Sequence, residues 1–600
     1  IDTIYVFTAS GREGEYFYRL VAQMAGVKDK TQKRVWIDSQ TEEEILRGIR
    51  EAKDISEYDN LAAAAYLRAK EDYLMGINFS RVLTLRYGNS VTNYLGGKYQ
   101  AISVGRVMTC VLGMVVRRER EIRAFVKTPF YRVVSSIALE GESFEGEWRA
   151  VEGSRYFQSP VLYKENGFKK KEDAQKLICE LSTQQPLICT VEKIERKKEN
   201  KNPPLLFNLA ELQNVCSKLF KISPDETLSI VQDLYEKKLV TYPRTDARVL
   251  STAVAKEIYK NISGLRNYPQ AGEAAQGALE LGAYKNIAKT RYTNDKQITD
   301  HYAIIPTGQG LGALKGLSLT AQRVYETIVR RFLSIFYPPA VYQKVSLVTK
   351  MENESFFSSF KVLLSEGYLK IAANSFAKKS RAEASGKTPE SEGEGEVSCD
   401  EALLAALQKL KKGDILNING LGIKEGETSP PKRYNSGSMI LAMENAGQLI
   451  EDEDLRSQIK GSGIGTSATR AEILKKLFNI RYLSLNKKTQ VITPTLQGEM
   501  IYDVVNCSIR QLLNPELTAS WEKGLTYVAE GSITEQEYMD KLEHFVRIRT
   551  KQVEDSHFQY ALRQFFDAAA QFYKKPERET AVKKGRTRSD TDWGIKEIIH

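Results

Sequence analysis

Two kinds of sequence periodicity alternate along this chain, and their order constrains the fold more than any other feature. Residues 61–122, and again the region beyond residue 436, repeat apolar side chains every three or four positions, which is typical of helices. Residues 131–148, 186–194 and 343–371 alternate apolar with polar side chains, which is typical of strands. Because the β segments flank a separate helical block, we expect the chain to leave a β-rich domain and to re-enter it later.

Composition places the chain among ordinary globular proteins. It has 600 residues, enough for roughly three to five domains of ~100–200 residues each. Lys and Arg number 87 against 76 Asp and Glu, and the net charge of +11 favours a polyanionic partner. We find no run of about 18 uncharged apolar residues, so a membrane span is not expected. Six scattered cysteines and four histidines argue against a disulfide framework, a zinc ribbon and a His-based metal site, and they fit a reducing cytoplasm.

The N-terminal sequence predicts an α/β unit. Residues 4–9 form an apolar run, Gly11 and Gly14 follow it, and a helical pattern comes next. A second apolar run at residues 35–37 precedes a helix that begins at Thr41 with three glutamates. This βαβα order implies a parallel sheet. The unit is short for a complete domain, so we expect it to be truncated.

The segment TYPRTDAR, residues 241–248, has the composition of a nucleophilic site. Pro243 restricts Tyr242 to extended geometry, so the phenol is held at a rigid bend. Arg244 follows two residues later and can pair with a phosphate oxygen while the phenol attacks phosphorus. Most of the 30 tyrosines are expected to be packing residues. On these residues alone, packing stays the commoner role and covalent chemistry the alternative.

TYPRTDAR closely resembles the active-site segment of the type IA DNA topoisomerases, particularly their topoisomerase III branch. Further family-like segments follow the family's order: RAKEDYLMGINFSR (68–81), SVGRVMT (103–109), PPLLFNLAELQ (203–213), TDHYAIIPT (299–307), SPPKRYNSGSMILAMENAG (429–447), GIGTSATRAEI (463–473) and NPELTASWEKGL (514–525). With the N-terminal segment, the resemblance spans residues 8 to about 530. Independent matches in one order over most of the chain are not expected by coincidence.

The resemblance implies roles for individual residues. Tyr242 matches the nucleophile that breaks one DNA strand and holds the 5′ phosphate as a phosphotyrosine. Arg244 matches an arginine that stabilises the transition state, and His301 matches a histidine that assists cleavage. The residues expected to bind DNA are Arg12, Arg106, Arg433, Thr469 and Arg470. Met108 stands where the family usually has Gln, which removes one polar DNA contact.

FTASGREGE, residues 7–15, resembles the acidic segment of the TOPRIM domain, which implies Mg²⁺. Glu13 matches the retained acidic position, and Glu15 is the second carboxylate offered for the metal. The family's first Asp falls on Ala9 and its second on Gly11. The family also carries a glutamate on an upstream strand, which the sequence does not contain. We therefore expect an N-terminally incomplete TOPRIM domain and a weakened metal site.

The expected fold is multidomain, with α/β, helical and β-rich parts arranged as the family's toroid. The predicted parts are a partial TOPRIM domain (1–60), a helical base with the DNA groove (61–127 and 428–545), a β-rich gate (128–200 and 323–427, with a disordered loop at 378–398), a helical domain with the catalytic tyrosine (201–322), and a basic helical or disordered tail (546–600).

The resemblance implies an ATP-independent isomerase that cleaves one strand, passes another and religates, giving relaxation or decatenation. It also implies a monomer acting on single-stranded DNA in the cytoplasm, at the nucleoid, with a helicase as a candidate partner and no membrane. The alternative is a DNA-binding or scaffolding relative with an impaired metal site. Ala9 supports that alternative, whereas the intact TYPRTD and DHYAIIP segments oppose it.

Overall fold

The structure, a computed structural model, describes residues 2–97, 101–298, 300–376, 396–398, 401–460 and 463–573. The N-terminal unit contains β1 (Thr3–Val6), α1 (Arg12–Met24), β2 (Thr31–Arg34), α2 (Glu42–Arg50) and β3 (Lys53–Asp54). Strands β1 and β2 pair in parallel, which confirms the predicted βαβα order. Strand β2 ends at Arg34 and so lies just before residues 35–37, where the sequence predicted it. Arg34 pairs with Val6, the last residue of β1, so residues 35–37 lie beyond the end of their partner strand.

Two long helices follow, and then the first half of the β-rich part. The helices are α3 (Asp59–Leu95) and α4 (Arg106–Ala124). The next elements are β4 (Pro129–Leu139), β5 (Glu142–Arg149), β6 (Leu162–Lys164), β7 (Gly167–Phe168), α5 (Lys171–Leu181) and β8 (Ile188–Lys201).

A helical block then separates β8 from the rest of the strands. It consists of α6 (Leu209–Phe220), α7 (Pro224–Glu236), α8 (Thr252–Gly264), α9 (Gly272–Leu281) and α10 (Leu319–Ser334). We call residues 202–337 the catalytic segment. Its first two helices begin at capping residues whose three-residue spacing is visible in the sequence: the side chains of Asn208 and Ser223 accept hydrogen bonds from the main-chain N–H of Glu211 and Glu226.

The chain then returns to the β-rich part and ends in helices. The returning elements are β9 (Ala340–Met351), β10 (Glu354–Ser365), α11 (Leu369–Ala372), β11 (Glu396–Ser398), α12 (Glu401–Lys409) and β12 (Ile415–Glu427). The last elements are α13 (Ser436–Glu444), α14 (Glu453–Gln458), α15 (Arg470–Asn479), β13 (Leu483–Leu485), β14 (Ile492–Pro494), α16 (Leu496–Ser508), α17 (Pro515–Ala529), α18 (Glu535–Asp555) and α19 (Gln559–Ala570).

The large sheet closes into a barrel. Within the described residues, the pairing runs β4–β5–β10–β9–β8–β12 and returns to β4. Strand β5 closes this ring, because it pairs with both β4 and β10. The barrel core contains Trp148, Phe168 and Phe356. The predicted loop at 378–398 lies outside the described residues except for its last three, which form β11 against β10. The predicted departure from the β-rich part and return to it is therefore observed.

Two further hydrophobic cores lie outside the barrel. One joins α3 and α4 with α13–α19, and we call residues 59–124 and 429–573 the base. The other lies within the catalytic segment and includes Val324 and Phe332 of α10. Helix α10 thus shares the core of the catalytic segment, where it packs with α7 and α9, and it also contacts α11 of the returning part. Likewise, Val546 to Phe566 of the expected tail pack on the base core, and residues 574–600 lie outside the described part.

Candidate active site

Two extended segments bring Tyr242 and His301 together. The main-chain N–H of Thr241 donates to the carbonyl of Ile305 at 3.0 Å, and its hydroxyl donates to the carbonyl of Ala303 at 3.0 Å. The hydroxyl of Thr245 donates to the carbonyl of His301 at 2.8 Å. These bonds tie both sides of Tyr242 to the segment TDHYAIIPT. The turn that carries Tyr242 is therefore fixed before any ligand arrives.

The rings of Tyr242 and His301 are in contact. Their centroids lie 4.3 Å apart with a tilt of 43° between the planes. Burial raises the pKa of Tyr242 above 10.0, and Arg244 offsets part of that rise. Burial lowers the pKa of His301 below 6.5, although the charge of Asp300 opposes the shift. At neutral pH the pair is therefore a neutral phenol beside a neutral imidazole, which is a potential proton acceptor.

Charged groups of both signs surround this pair. Arg244 is exposed two residues from Tyr242, where its guanidinium can reach a phosphate. Asp300 and Glu13 both raise the pKa of Tyr242, so their carboxylates lie within electrostatic reach of the phenol. Glu13 reaches it from the N-terminal unit. The site therefore lies between that unit and the catalytic segment.

A cavity of about 740 Å³ occupies this position. Ala9, Ser10 and Asp38 line it from the N-terminal unit, and Tyr242 and His301 line it from the catalytic segment. Burial raises the pKa of Asp38, and its Oδ1 has no hydrogen-bond partner among the described residues. The cavity therefore carries polar groups on the walls that both units contribute.

The donor set does not fit the Mg²⁺ site that the resemblance implies. Glu15 is completely buried, and its two carboxylate oxygens accept from Arg19 and Arg34 at 2.9 Å each. Among the described residues, no three His, Cys, Asp or Glu side chains are grouped so that they could hold a metal ion. Of the two expected ligands, Glu13 alone is exposed. Glu15 serves the packing of the N-terminal unit instead.

Arg106, expected at the DNA, lies inside the base. Its side chain is 1% exposed, and its Nε lies 3.1 Å from Glu71 and 3.0 Å from Asp72. Burial raises the pKa of Glu71 to about 7. Burial also opposes ionisation of Glu522, but Arg68, Arg12 and Arg106 together lower its pKa to about 2. In this conformation Arg106 organises a buried ionic cluster and does not face a groove.

The other expected DNA contacts are distributed over several surfaces. Arg12 donates to Glu522 at 2.9 Å and so joins α1 to α17. Arg433 makes a two-point ion pair with Glu119 at 2.7 and 2.9 Å. Thr469 is exposed just before α15. Its neighbour Arg470 is buried, so these side chains differ in exposure and in the carboxylates they contact.

The comparisons with known proteins agree on one family. Residues 56–540 match the family model described as DNA topoisomerase. The chain belongs to the type IA DNA topoisomerases. This topoisomerase is 31% identical over 560 residues to DNA topoisomerase 3 of Bacillus subtilis (strain 168), covering 93% of this chain and 69% of that protein. It is also 31% identical to DNA topoisomerase 3 of Shouchella clausii over 557 residues, 92% and 68% of the two chains.

A solved structure shows the same fold. Full-length topoisomerase I from Thermotoga maritima superposes with a TM-score of 0.61 at 21% identity, over 92% of this chain and 78% of that one. The expected type IA fold is therefore confirmed. No helix in the described part of this topoisomerase is long and apolar enough to cross a membrane.

Sequence reasoning missed several residues of this topoisomerase's site. Asp300 lies inside the segment TDHYAIIPT, so its place beside His301 was available from the motif. Asp38 and Tyr235 also line the cavity, and the Tyr235 ring meets Tyr242 edge-on at 5.4 Å. Tyr235 lies on α7 and Asp38 follows β2, so no local spacing points to either of them.

Proposed function

We propose that this topoisomerase cleaves one strand of DNA through a covalent 5′-phosphotyrosine at Tyr242, passes another strand through the break and reseals it. The contact between Tyr242 and the neutral ring of His301 is the observation that carries the proposal. The exposed guanidinium of Arg244 beside them supports it. Unpaired DNA is the proposed substrate. A phosphate must enter the cavity to reach Tyr242, and an extended single strand can bring its phosphate and the adjoining bases there together.

The proposed cleavage step balances without a cofactor. The phenolic oxygen of Tyr242 forms a bond to phosphorus, and the bond from phosphorus to the 3′ oxygen breaks. His301 accepts the phenol proton and returns it to the departing 3′ oxygen. Arg244 pairs with the phosphoryl oxygens whose charge grows in the transition state. The reverse sequence reseals the strand, and no ATP is consumed because the phosphotyrosine keeps the energy of the phosphodiester.

Relaxation and decatenation are both consistent with a single-strand break. We propose a monomer that works at the nucleoid on unpaired DNA, which a helicase can supply. In this proposal the catalytic segment moves away from the base after cleavage to admit the second strand, and from here on we call the opening between these two parts, and not the β-rich part, the gate.

A trapping experiment tests the covalent step. The protein is mixed with a labelled single-stranded oligonucleotide, denatured, and separated by gel. We expect a denaturation-resistant adduct that disappears in Tyr242→Phe and persists in Tyr259→Phe, a matched change at an exposed tyrosine of α8. Mass spectrometry of the adduct should locate the nucleotide on Tyr242. An unmodified wild-type protein that still binds the oligonucleotide would contradict the proposal.

The donor set favours a second candidate, a DNA-binding or scaffolding relative with an impaired metal site. Ala9 and Gly11 offer no carboxylates, and Glu15 is held by two arginines. Relaxation of supercoiled DNA is measured in parallel with Mg²⁺ and with EDTA. Adduct formation without relaxation under either condition would select the second candidate, whereas relaxation under either condition would exclude it.

A further inference from the structure

The catalytic segment meets the base along one face. Helix α6 of the catalytic segment packs closely against α13 of the base. Of the described residues of α6, Ala210 alone belongs to the hydrophobic core of the base. The two cores are therefore separate at this face, and polar groups contribute contacts across it.

An ion pair crosses this face next to the active-site turn. Arg470 Nη1 lies 2.8 Å from Asp246 Oδ1. The arginine side chain is 1% exposed and the aspartate 30% exposed. Asp246 is four residues beyond Tyr242, and its carbonyl accepts a hydrogen bond from Asn208 at 3.1 Å. The pair thus joins the base to the same rigid turn that carries the proposed nucleophile.

Two further polar contacts cross the face beside the ion pair. Asn208 Nδ2 donates to Glu444 Oε1 at 2.5 Å. The hydroxyl oxygens of Ser217 and Ser436 lie 3.0 Å apart and are buried. These groups can form hydrogen bonds to water when the face separates, which offsets part of the loss of their contacts across it. The polar contacts therefore give the closed face a defined register.

Small residues allow this close approach. A Cβ added to Gly437 on α13 would lie 2.7 Å from Asn214 Cα and 3.0 Å from Ser217 Cβ on α6. Any side chain at residue 437 would therefore hold the two helices apart. The absence of a side chain at that position fits a face that must close completely.

We propose that Asp246 and Arg470 form a latch that holds the catalytic segment against the base, and that this latch separates each time the gate opens. The inference rests on the proposed function, since a gate is needed only for strand passage. It replaces the DNA-binding role that the resemblance gives to Arg470. Both residues are positioning residues, because they act through the turn that holds Tyr242.

Chemical labelling of a buried thiol measures opening of this face. Ser436 is 0% exposed, so in Ser436→Cys a thiol reagent reaches the new side chain only when α13 and α6 separate. Peptide mass spectrometry distinguishes this thiol from the native cysteines. Asp246→Asn, Arg470→Gln, the double variant and Arg470→Lys are each made in the Ser436→Cys background. Asp225→Asn is the matched control, because its pair with Lys475 is longer, at 3.7 Å, and more exposed.

The latch predicts a specific pattern of labelling rates. Asp246→Asn and Arg470→Gln should each raise the rate on the order of tenfold, because each removes the ion pair of 2.8 Å across the face. The double variant should be no faster than the faster single variant, since both remove one interaction. Arg470→Lys, which keeps the charge, should label more slowly than Arg470→Gln. Asp225→Asn should change the rate less than twofold.

Three results would overturn the latch. They are unchanged labelling in both single variants, multiplied effects in the double variant, and weaker oligonucleotide binding in Arg470→Gln but not in Asp246→Asn. The last result would return Arg470 to the DNA. Failure of the proposed function is distinguishable, because it appears as a missing Tyr242 adduct in wild type while the labelling pattern is measured without DNA.

Discussion

The ring of His301 lies against the ring of Tyr242, with 4.3 Å between their centroids. Both rings are partly or largely withdrawn from water, and burial moves their two pKa values apart. A phenol that holds its proton more tightly and an imidazole that holds its proton less tightly form a donor–acceptor pair over the whole neutral range. This relationship has consequences for the pH dependence of cleavage.

Cleavage of a single-stranded oligonucleotide should be independent of pH near neutrality and should fall on the acid side. Because burial lowers the pKa of His301, the imidazole is neutral above 6.5 and gains a proton only at lower pH. Protonated His301 cannot accept the phenol proton. Single-turnover adduct formation measured from pH 5 to 9 should therefore decline below about pH 6.5. In His301→Gln the rate should be lower and the acid decline absent, and an unchanged decline would assign it to another group.

Glu15→Gln should destabilise the N-terminal unit. Glu15 and Arg34 are both 0% exposed, so the substitution leaves a buried guanidinium without its carboxylate, at a cost of about 3–5 kcal/mol. Hydrogen exchange of α1 and β2 amides should accelerate accordingly. Glu13→Gln, two residues away and exposed, should change stability by less than about 0.5 kcal/mol. Equal protection in the two variants would mean that the Glu15 pair is not structural.

Gly437→Ala should open the contact between α6 and α13. The added methyl group would meet backbone 2.7 Å away, so the helices must separate even though alanine is the better helix former. Faster labelling of the thiol in Ser436→Cys is the expected result. Gly76→Ala provides the matched control, since its new methyl group would lie 4.0 Å from the nearest neighbouring atom. Labelling that stays slow in Gly437→Ala would show that the face accommodates a side chain.

Glu522→Gln should weaken the junction of α1, α4 and α17. The folded pKa of Glu522 is about 2, below its ordinary 4.5, so its contribution is present above pH 4.5 and is lost as pH falls toward 2. That shift corresponds to about 3 kcal/mol at neutral pH. The urea midpoint of the variant should therefore fall below that of wild type at pH 7. The difference should shrink as pH falls from 4.5, and a constant difference would contradict the ionic origin.

Local signals in the sequence predicted the elements that depend on local chemistry. Asn208 and Ser223 cap their helices as their spacing indicates. The motifs around Tyr242 and His301 also led to a pair that is in contact, although 58 residues separate them in the chain. The resemblance supplied this long-range pairing, which residue type and spacing alone do not give.

The side chains that sequence reasoning placed differently are those whose surroundings come from distant segments. Arg106 and Arg470 have the right chemistry for a phosphate, but Glu522 and Asp246 approach them from elsewhere in the chain. Charge alone does not reveal such partners. Similarly, the charge of the segment ERKKENK, residues 195–201, does not indicate a strand, yet the segment continues β8 because it pairs with β9.

The catalytic segment is an insertion between two neighbouring strands of the closed barrel. Its two ends leave from Lys201 and Ala340, which are paired opposite each other on β8 and β9. Strands β8 and β9 therefore form a hairpin of the barrel, and the 138 residues between them (202–339) occupy the position of its loop. A short turn joining these strands should then leave the barrel able to fold, and evolution could exchange the whole inserted unit without redesigning its support.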